Sequence, residues 1–397
     1  MSVNTMSFEQ AATILTALAA QATGATGLTA SDLSSYISVG QKALQNGYDP
    51  LNIGISQMVS RTLFANRPYS SALSILRRDE DEYGAIVRKI SSIYQAYEND
   101  PTYSLVDGTS YSPWEVRKPK LWQANFYGFD IWKDHVTVTR QQLKNAVQSP
   151  ADLARLMDLI LGTKENEMEL GRETFERATL ANLIGALAAM AAATGGNTNQ
   201  HRHLLTEYNT ETGLSLTATT VKQPANYSDF IKWAYAKIAQ VSDMFTEYSR
   251  IFHLNPATGD IMRHTPKADQ RIFVYNENLH DIGARVLADT FNSSMVSEEV
   301  PYTASLNFFQ SLTSPDSISV TPAYIDNTGA QVTASNQQVS NIFAVVCDRD
   351  ALGTNYHDQS VDVSPYNPDG KFYNYFYHEA RRYWVDVTEN AVLFTLD

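Results

Sequence analysis

The sequence predicts an α+β fold, and three observations carry that reading. A stretch beginning "SPADLARLMDLIL" at Ser149 keeps apolar residues at helical spacing as far as Met190. Strand-like runs lie on both sides of it, "LWQANFYGFDIWKDHVTVTR" before and "NIFAVVCDRDAL" and the closing residues after. No repeat, low-complexity tract or clean interdomain linker separates these parts, so one chain folds back through several modules.

Composition narrows the function classes. The chain has 397 residues, of which 43% are hydrophobic and 18% charged. That charged share lies below the roughly 25% usual for soluble domains, which points to a large core or to surface covered by self-association. The net charge of −13 repels phosphate and argues against a free-standing nucleic-acid binder. Cys347 is the single cysteine, so no intrachain disulfide is possible, and its apolar surroundings read as those of a small buried hydrophobe. The N-terminal apolar pattern does not read as a secretory signal, because no Lys or Arg precedes Lys42. No apolar run approaches the roughly 20 residues of a membrane span.

Taken in order, residues 1–82 read as a helix-prone arm. It carries a capping box at Thr29 and Asp32, the arginines Arg61, Arg67, Arg77 and Arg78, and an acidic run from Asp79 to Glu82. The arginines suit an arm that reaches another subunit or DNA. "GAIVRKISSIYQAY" and "LWQANFYGFDIWKDHVTVTR" read as two strands of an extended hairpin, with Trp122, Ala124, Phe126 and Gly128 on one face. The turn-rich segment between them collects Arg117, Lys118 and Lys120. At the long helix Ser149 is the expected N-cap and Pro150 the first helical residue. Gly162 and Gly171 are places where it could bend, and its middle is acidic at Glu165, Glu167, Glu169, Glu173 and Glu176. A second amphipathic helix follows from Ser228. "DQRIFVYNENLHDIGARVLADTFN" reads strand, turn, helix, and "SISVTPAYI" and "NIFAVVCDRDAL" read as strands. The aromatic close, "KFYNYFYHEARRYWVDVTENAVLFTLD", reads as strands, although "YFYHEARRYW" also fits a helical turn.

Catalytic signatures are sparse. His201 and His203 offer two metal ligands without a third or fourth at a recognisable spacing. Asp348 and Asp350 read as strand-end carboxylates capping a turn around Arg349. Gly195 and Gly196 belong to no phosphate loop, and neither G-x-S-x-G nor H-E-x-x-H occurs. The expectation is a protein with no catalytic residue, cofactor or metal.

The order of parts resembles the major capsid proteins of tailed bacteriophages with the HK97-type fold. "VTVTRQQLKNAVQSPADLARLMDLIL" is similar to the family's strand-to-helix junction, "NIFAVVCDRDALGTNY" to its central strand and turn, and "GKFYNYFYHEARRYWVDVTENAVLFTLD" to the end of short-tailed phage capsid proteins. The resemblance implies an N-terminal arm (1–82), an E-loop hairpin (83–140), a P-domain spine helix (141–195), a mainly A-domain region (196–355), and returning P-domain strands with a terminal A-domain strand (356–397). It implies a shell of hexamers and pentamers around double-stranded DNA touched non-specifically, with a portal and a separate scaffolding protein. The shell would be assembled in the host cytoplasm and would need no membrane. A nanocompartment shell of the same fold and a cytoplasmic enzyme are the alternatives. Within the shell, Arg117, Lys118 and Lys120 of one loop are expected to meet Glu165, Glu167 and Glu169 of the next subunit's spine. Arg381 and Arg382 are expected to anchor neighbouring subunits or the acidic spine.

Overall fold

The computed structural model describes residues 30–45, 71–78, 87–95, 118–126, 129–142, 150–193, 197–278 and 303–397, with isolated positions at 12–20, 107–116 and 144. Along 150–165, and at a few other positions, only the backbone is described. The Ser149 cap, Arg61, Arg67, the acidic run 79–82 and the helix expected after Asn278 lie outside the described residues.

In the arm, helix α1 (Leu33–Gln45) starts one turn later than the Thr29 reading implies. Asp32 is its cap: Asp32 Oδ1 accepts from Ser35 N at 2.7 Å and Ser35 Oγ accepts from Asp32 N at 2.9 Å. This reciprocal pair satisfies two otherwise orphaned backbone donors. Strands β1 (Val87–Ser92) and β2 (Leu121–Phe126) form the antiparallel hairpin. Trp122, Ala124 and Phe126 share its buried face and pack with Ile93 against Ile261, Ile325 and Trp384. Strand β3 (Phe129–Thr139) leaves the hairpin for another sheet.

Helix α2 (Pro150–Ala192), the helix expected from the sequence as a spine, runs 43 residues unbroken through Gly162 and Gly171. At about 1.5 Å per residue it is about 65 Å long, enough to cross two sheets in succession. Then come β4 (His201–His203), α3 (Leu204–Thr212), α4 (Ala218–Val221) and α5 (Pro224–Met244). Strands β5 (Gln270–Tyr275), β6 (Ala304–Leu306), β7 (Ile318–Val320), β8 (Ala323–Ile325), β9 (Gln331–Thr333) and β10 (Gln337–Val339) lead to the long returning strands. These are β11 (Ile342–Asp348), β12 (Leu352–Val363), β13 (Phe372–Val385) and β14 (Ala391–Thr395).

A five-stranded sheet, ordered β4-β14-β11-β5-β6, forms the centre of three layers. Phe273, Tyr275, Val345, Cys347, Ala391 and Leu393 face the last turns of α2, against Leu180, Leu183, Ile184 and Leu187. Their neighbours Ile272, Val274, Val346, Val392 and Phe394 face α3 and α5, against Leu204, Phe230, Ile231, Ile238 and Val241. Cover on both sides is the reason "AVLF" and "IFAVVC" read as continuous apolar runs rather than alternating ones. Asn182 of the spine donates to Ala323 O and accepts from Ala323 N, both at 2.8 Å, and so completes the backbone bonding where β8 begins.

The second sheet is antiparallel, ordered β12-β13-β3, and settles the aromatic close as strand. Tyr373, Tyr375 and Tyr377 are buried while Phe372 and Phe376 on the opposite face are half-buried, the alternation a strand requires. Gly353 of β12 lies opposite Trp384 of β13. A Cβ on Gly353 would stand 2.2 Å from Trp384 Cζ2, so the indole lies across the bare backbone and reaches the hairpin's apolar cluster. Gly353→Ala should therefore displace Trp384 and loosen both the sheet and the hairpin. The expected loss is about 1–3 kcal/mol, the usual cost of overpacking, and urea unfolding of the purified chain measures it.

Candidate functional site

Two buried clusters of charge hold the long elements together. The first lies where the middle of α2 crosses the β12–β13 sheet. Helical spacing puts Glu169, Arg172, Glu173, Glu176 and Arg177 on the covered side of α2, and all five are buried. Arg77, at the end of a short 3-10 turn (Ser74–Leu76) of the arm, donates from Nη2 to Glu169 Oε1 at 2.7 Å and from Nε to Glu176 Oε1 at 2.5 Å. Arg172 donates to Glu379 of β13 at 2.8 Å. Arg381 lies 3.6 Å from Glu379 and donates to the Gly171 carbonyl at 3.4 Å. Arg177 donates to Glu173 at 2.7 Å along the same helix, so four cations face four carboxylates. Tyr356 stands among them, its hydroxyl 3.2 Å from Glu176 Oε1 and the guanidinium groups of Arg77 and Arg172 over its ring.

Local packing explains the residue choices. A Cβ on Gly171 would come within 3.1 Å of Arg381 Nη2, so the glycine gives the guanidinium room beside the helix. Phe175 meets Tyr383 edge-on, and Arg381 lies over Trp132 of β3 and over Phe175. Burial opposes ionisation of Glu169, but the hydrogen bond and charge of Arg77 outweigh it and hold the carboxyl below its ordinary value. Burial likewise works against the charge on Arg77, and Glu176 and Glu169 more than restore it.

The second cluster fastens the hairpin. Lys89 of β1 meets Asp386 and Glu389 in the turn between β13 and β14. Arg263 donates to Ser91 Oγ at 2.7 Å and lies 3.4 Å from Glu389. Asp386 Oδ1 accepts from Thr388 N at 2.9 Å and from Thr388 Oγ1 at 2.6 Å, closing the turn on itself. Burial raises the Glu389 carboxyl above its ordinary value against the pull of Lys89 and Arg263.

The residues singled out from sequence fall in different places. Lys118 and Lys120 are exposed; Arg117 lies outside the described residues. Glu167 is exposed on the spine, and the side chain of Glu165 is not described. The Glu169 carboxylate points into its own chain, held by Arg77. Arg381 and Arg382 are buried in the chain's own sheet, each 5% exposed, with Arg381 on the spine carbonyl. Arg77, read from sequence as part of an outward-reaching arm, is instead the partner of the acidic spine. Its position after the apolar "SALSILR" run was the available signal. Lys89 and the "DVTEN" turn carried no comparable pattern.

Asp348 accepts from Asp350 N at 2.8 Å and from Thr265 Oγ1 at 2.7 Å, and Arg349 reaches Asp269 at 3.2 Å, so these carboxylates organise a turn. Cys347 is fully buried, and burial pushes its thiol up. Among the described residues no three His, Cys, Asp or Glu side chains converge as metal ligands. His201 bonds Thr395 Oγ1 at 3.0 Å, and its ring lies 4.2 Å from that of His203. No described helix is long and apolar enough to cross a membrane.

A family model described as Phi29-like phage major capsid protein matches residues 17–395. The fold is similar to that of a chain in the structure of the head fiber and inner core protein of native bacteriophage P68, at 11% identity, with 83% of this chain and 85% of that chain covered and a TM-score of 0.54. It is also similar to a chain in the capsid structure of Staphylococcus phage Andhra, at 12% identity, with coverage of 81% and 83% and a TM-score of 0.52. No curated protein matches the chain.

Two outcomes follow from the charges. Arg77→Ala leaves Glu169 and Glu176 without their shared cation in a buried layer. It should cost about 3–5 kcal/mol, the usual penalty for stripping one partner from a buried pair, as measured by the denaturant midpoint. The pKa of His201 is lowered from 6.5 to about 4, by burial first and then by His203. A depressed histidine makes its contribution to stability above the unfolded value and loses it as pH falls between those limits. His201→Gln should therefore flatten the acid limb of the stability profile between pH 6.5 and about 4.

Proposed function

The chain belongs to the family of Phi29-like phage major capsid proteins, and from that premise we propose how its parts and partners build the shell. It is a structural subunit of a tailed-phage capsid, it associates with copies of itself, and its place is the virion. The match over residues 17–395 is the observation that carries this, and it favours a phage capsid over a nanocompartment shell. The proposed shell consists of hexamers and pentamers around double-stranded DNA, assembled in the host cytoplasm with a portal and a separate scaffolding protein, and its subunit has no enzymatic role. The net charge of −13 supports a container that holds DNA without adhering along its length.

The proposed layout keeps the arm at 1–82, the E-loop at 83–140, the spine at 141–195, the A-domain mainly at 196–355 and the returning strands at 356–397. The pairing of β14 with β11 supports assigning the terminal strand to the A-domain. The shared sheet of β12, β13 and β3 supports the return of the chain to the spine.

For subunit contacts, the proposal rests on the exposed charges. Lys118 and Lys120, with Arg117, would meet Glu167 and Glu165 of a neighbouring spine, where complementary charge sets register and encounter. Glu169 is left out of this pairing, since Arg77 of its own chain already neutralises it. Arg381 and Arg382 would act by stiffening the sheet behind the contact. Negative-stain microscopy of the chain assembled with its scaffolding protein tests both levels. Closed shells are expected, and a monomer or dimer under all conditions contradicts the assembly reading. Lys118→Glu with Lys120→Glu should abolish shells, and Glu165→Lys with Glu167→Lys in the same chain should restore them. Normal shells from the lysine double variant rule out the pairing.

A further inference from the structure

We propose that Arg382 is one half of an ion pair whose carboxylate is supplied by a second copy of the chain. The starting observation is a buried cation with no anion. Arg382 is 5% exposed, and its Nε is enclosed without a hydrogen-bond partner. Among the described residues no carboxylate lies within ion-pair distance of its guanidinium. Arg381, on the opposite face of β13, has Glu379 at 3.6 Å and the Gly171 carbonyl at 3.4 Å. An arginine does not escape burial by shedding its proton. A buried charge without a partner is strongly destabilising, so Arg382 weakens the single chain.

The register gives the reason that no carboxylate of β3, β13 or β12 serves it. Arg382 lies opposite Asn355 of β12 and Phe129 of β3. Side chains alternate across a sheet, so Arg382 shares the face turned away from α2 with Ala380 and His378. Asp130, Asp134 and Glu379 have the other parity and turn towards the spine with Arg381. On the outer face β12 presents Asp362, but it lies opposite Phe376, six residues along β13 and about 20 Å from Arg382. Charge is thus segregated by parity, and the anion for Arg382 has to come from outside the sheet.

Two features point to protein as its source. Ile131 lies opposite Ala380, hence beside Arg382, and is 63% exposed. Apolar area around an arginine is the make-up of a protein interface core, whereas a phosphate backbone is held by cations. The chain has 43 Asp and Glu against 30 Lys and Arg, so an approaching copy has a surplus of carboxylates. The guanidinium fork can take both oxygens of one carboxylate. The inference rests on the reading of the chain as a shell subunit, and it gives Arg382 a role beyond stiffening its sheet. The unpaired charge destabilises the free chain, and association with a second copy removes that cost.

Arg382→Met, similar in length and uncharged, tests this in two measurements. In the unassembled full-length chain its denaturant midpoint should rise, because an unpaired buried charge has been removed. In assembly with scaffolding protein, closed shells in negative stain should be lost, and Arg382→Lys should recover part of the yield. A lower midpoint for Arg382→Met, or its failure to fold, means that the guanidinium is paired within its own chain and overturns the proposal. An undiminished shell yield overturns it as well. So does inorganic phosphate or duplex DNA that raises the midpoint of the wild-type chain but not that of Arg382→Met, since the occupant is then a phosphate. Absence of shells from the wild-type chain instead contradicts the shell reading. The midpoint is read on the free chain, so it still decides whether Arg382 lacks a partner.

Discussion

The crossing of one helix over two sheets is the constraint on which the rest of the structure depends. The last turns of α2 lie on the five-stranded sheet through Leu180, Leu183, Ile184 and Leu187, where only apolar area is exchanged. Two to three turns earlier the same helix crosses the β12–β13 sheet, and there its buried side is charged. A helix with so many carboxylates could not be buried alone, because each unpaired charge costs several kcal/mol. Arg77, Arg172 and Arg381 make the crossing possible, and they arrive from three parts of the chain: the arm, the helix itself and β13. The arm, spine and returning strands are therefore coupled through one layer of charge.

The hairpin is fastened in a similar way but at a different place. Lys89, Ser91 and Arg263 converge with Asp386 and Glu389 beside an apolar cluster centred on Trp122. Trp384, one residue beyond Tyr383 of the charged crossing, lies over Gly353 and packs on that cluster. The two polar clusters are thus neighbours along β13, and a shift in that strand reaches both. For a capsid subunit such continuity gives the hairpin a firm root while its loop keeps Lys118 and Lys120 exposed.

Much of the fold was legible in the sequence because its signals are local. The helical spacing of apolar residues in α2, the alternation at Trp122, Ala124 and Phe126, and the continuous apolar strands all follow from the side each residue must bury. Local signals also mislead locally. Thr29 and Asp32 fit a capping box, yet Asp32 and Ser35 form it, since two candidates a turn apart compete and packing of Tyr36 and Val39 decides. "YFYHEARRYW" fits a helical turn by composition, and only its pairing with β3 and β12 makes it a strand.

By itself the sequence determined the α+β class, the long spine, the paired hairpin strands and the order of parts that places the chain among phage capsid proteins, because these depend on periodicity and succession along the chain. Tertiary structure alone decided which charges turn inward. Glu167 and Glu169 are two residues apart and alike in composition, yet one is exposed and the other is held by Arg77 from the arm. Lys118 is exposed while Lys89, on an apolar face, meets two buried carboxylates some three hundred positions away. A charge is buried only where a distant partner arrives to neutralise it, and the identity of that partner is set by the crossing of elements rather than by their order.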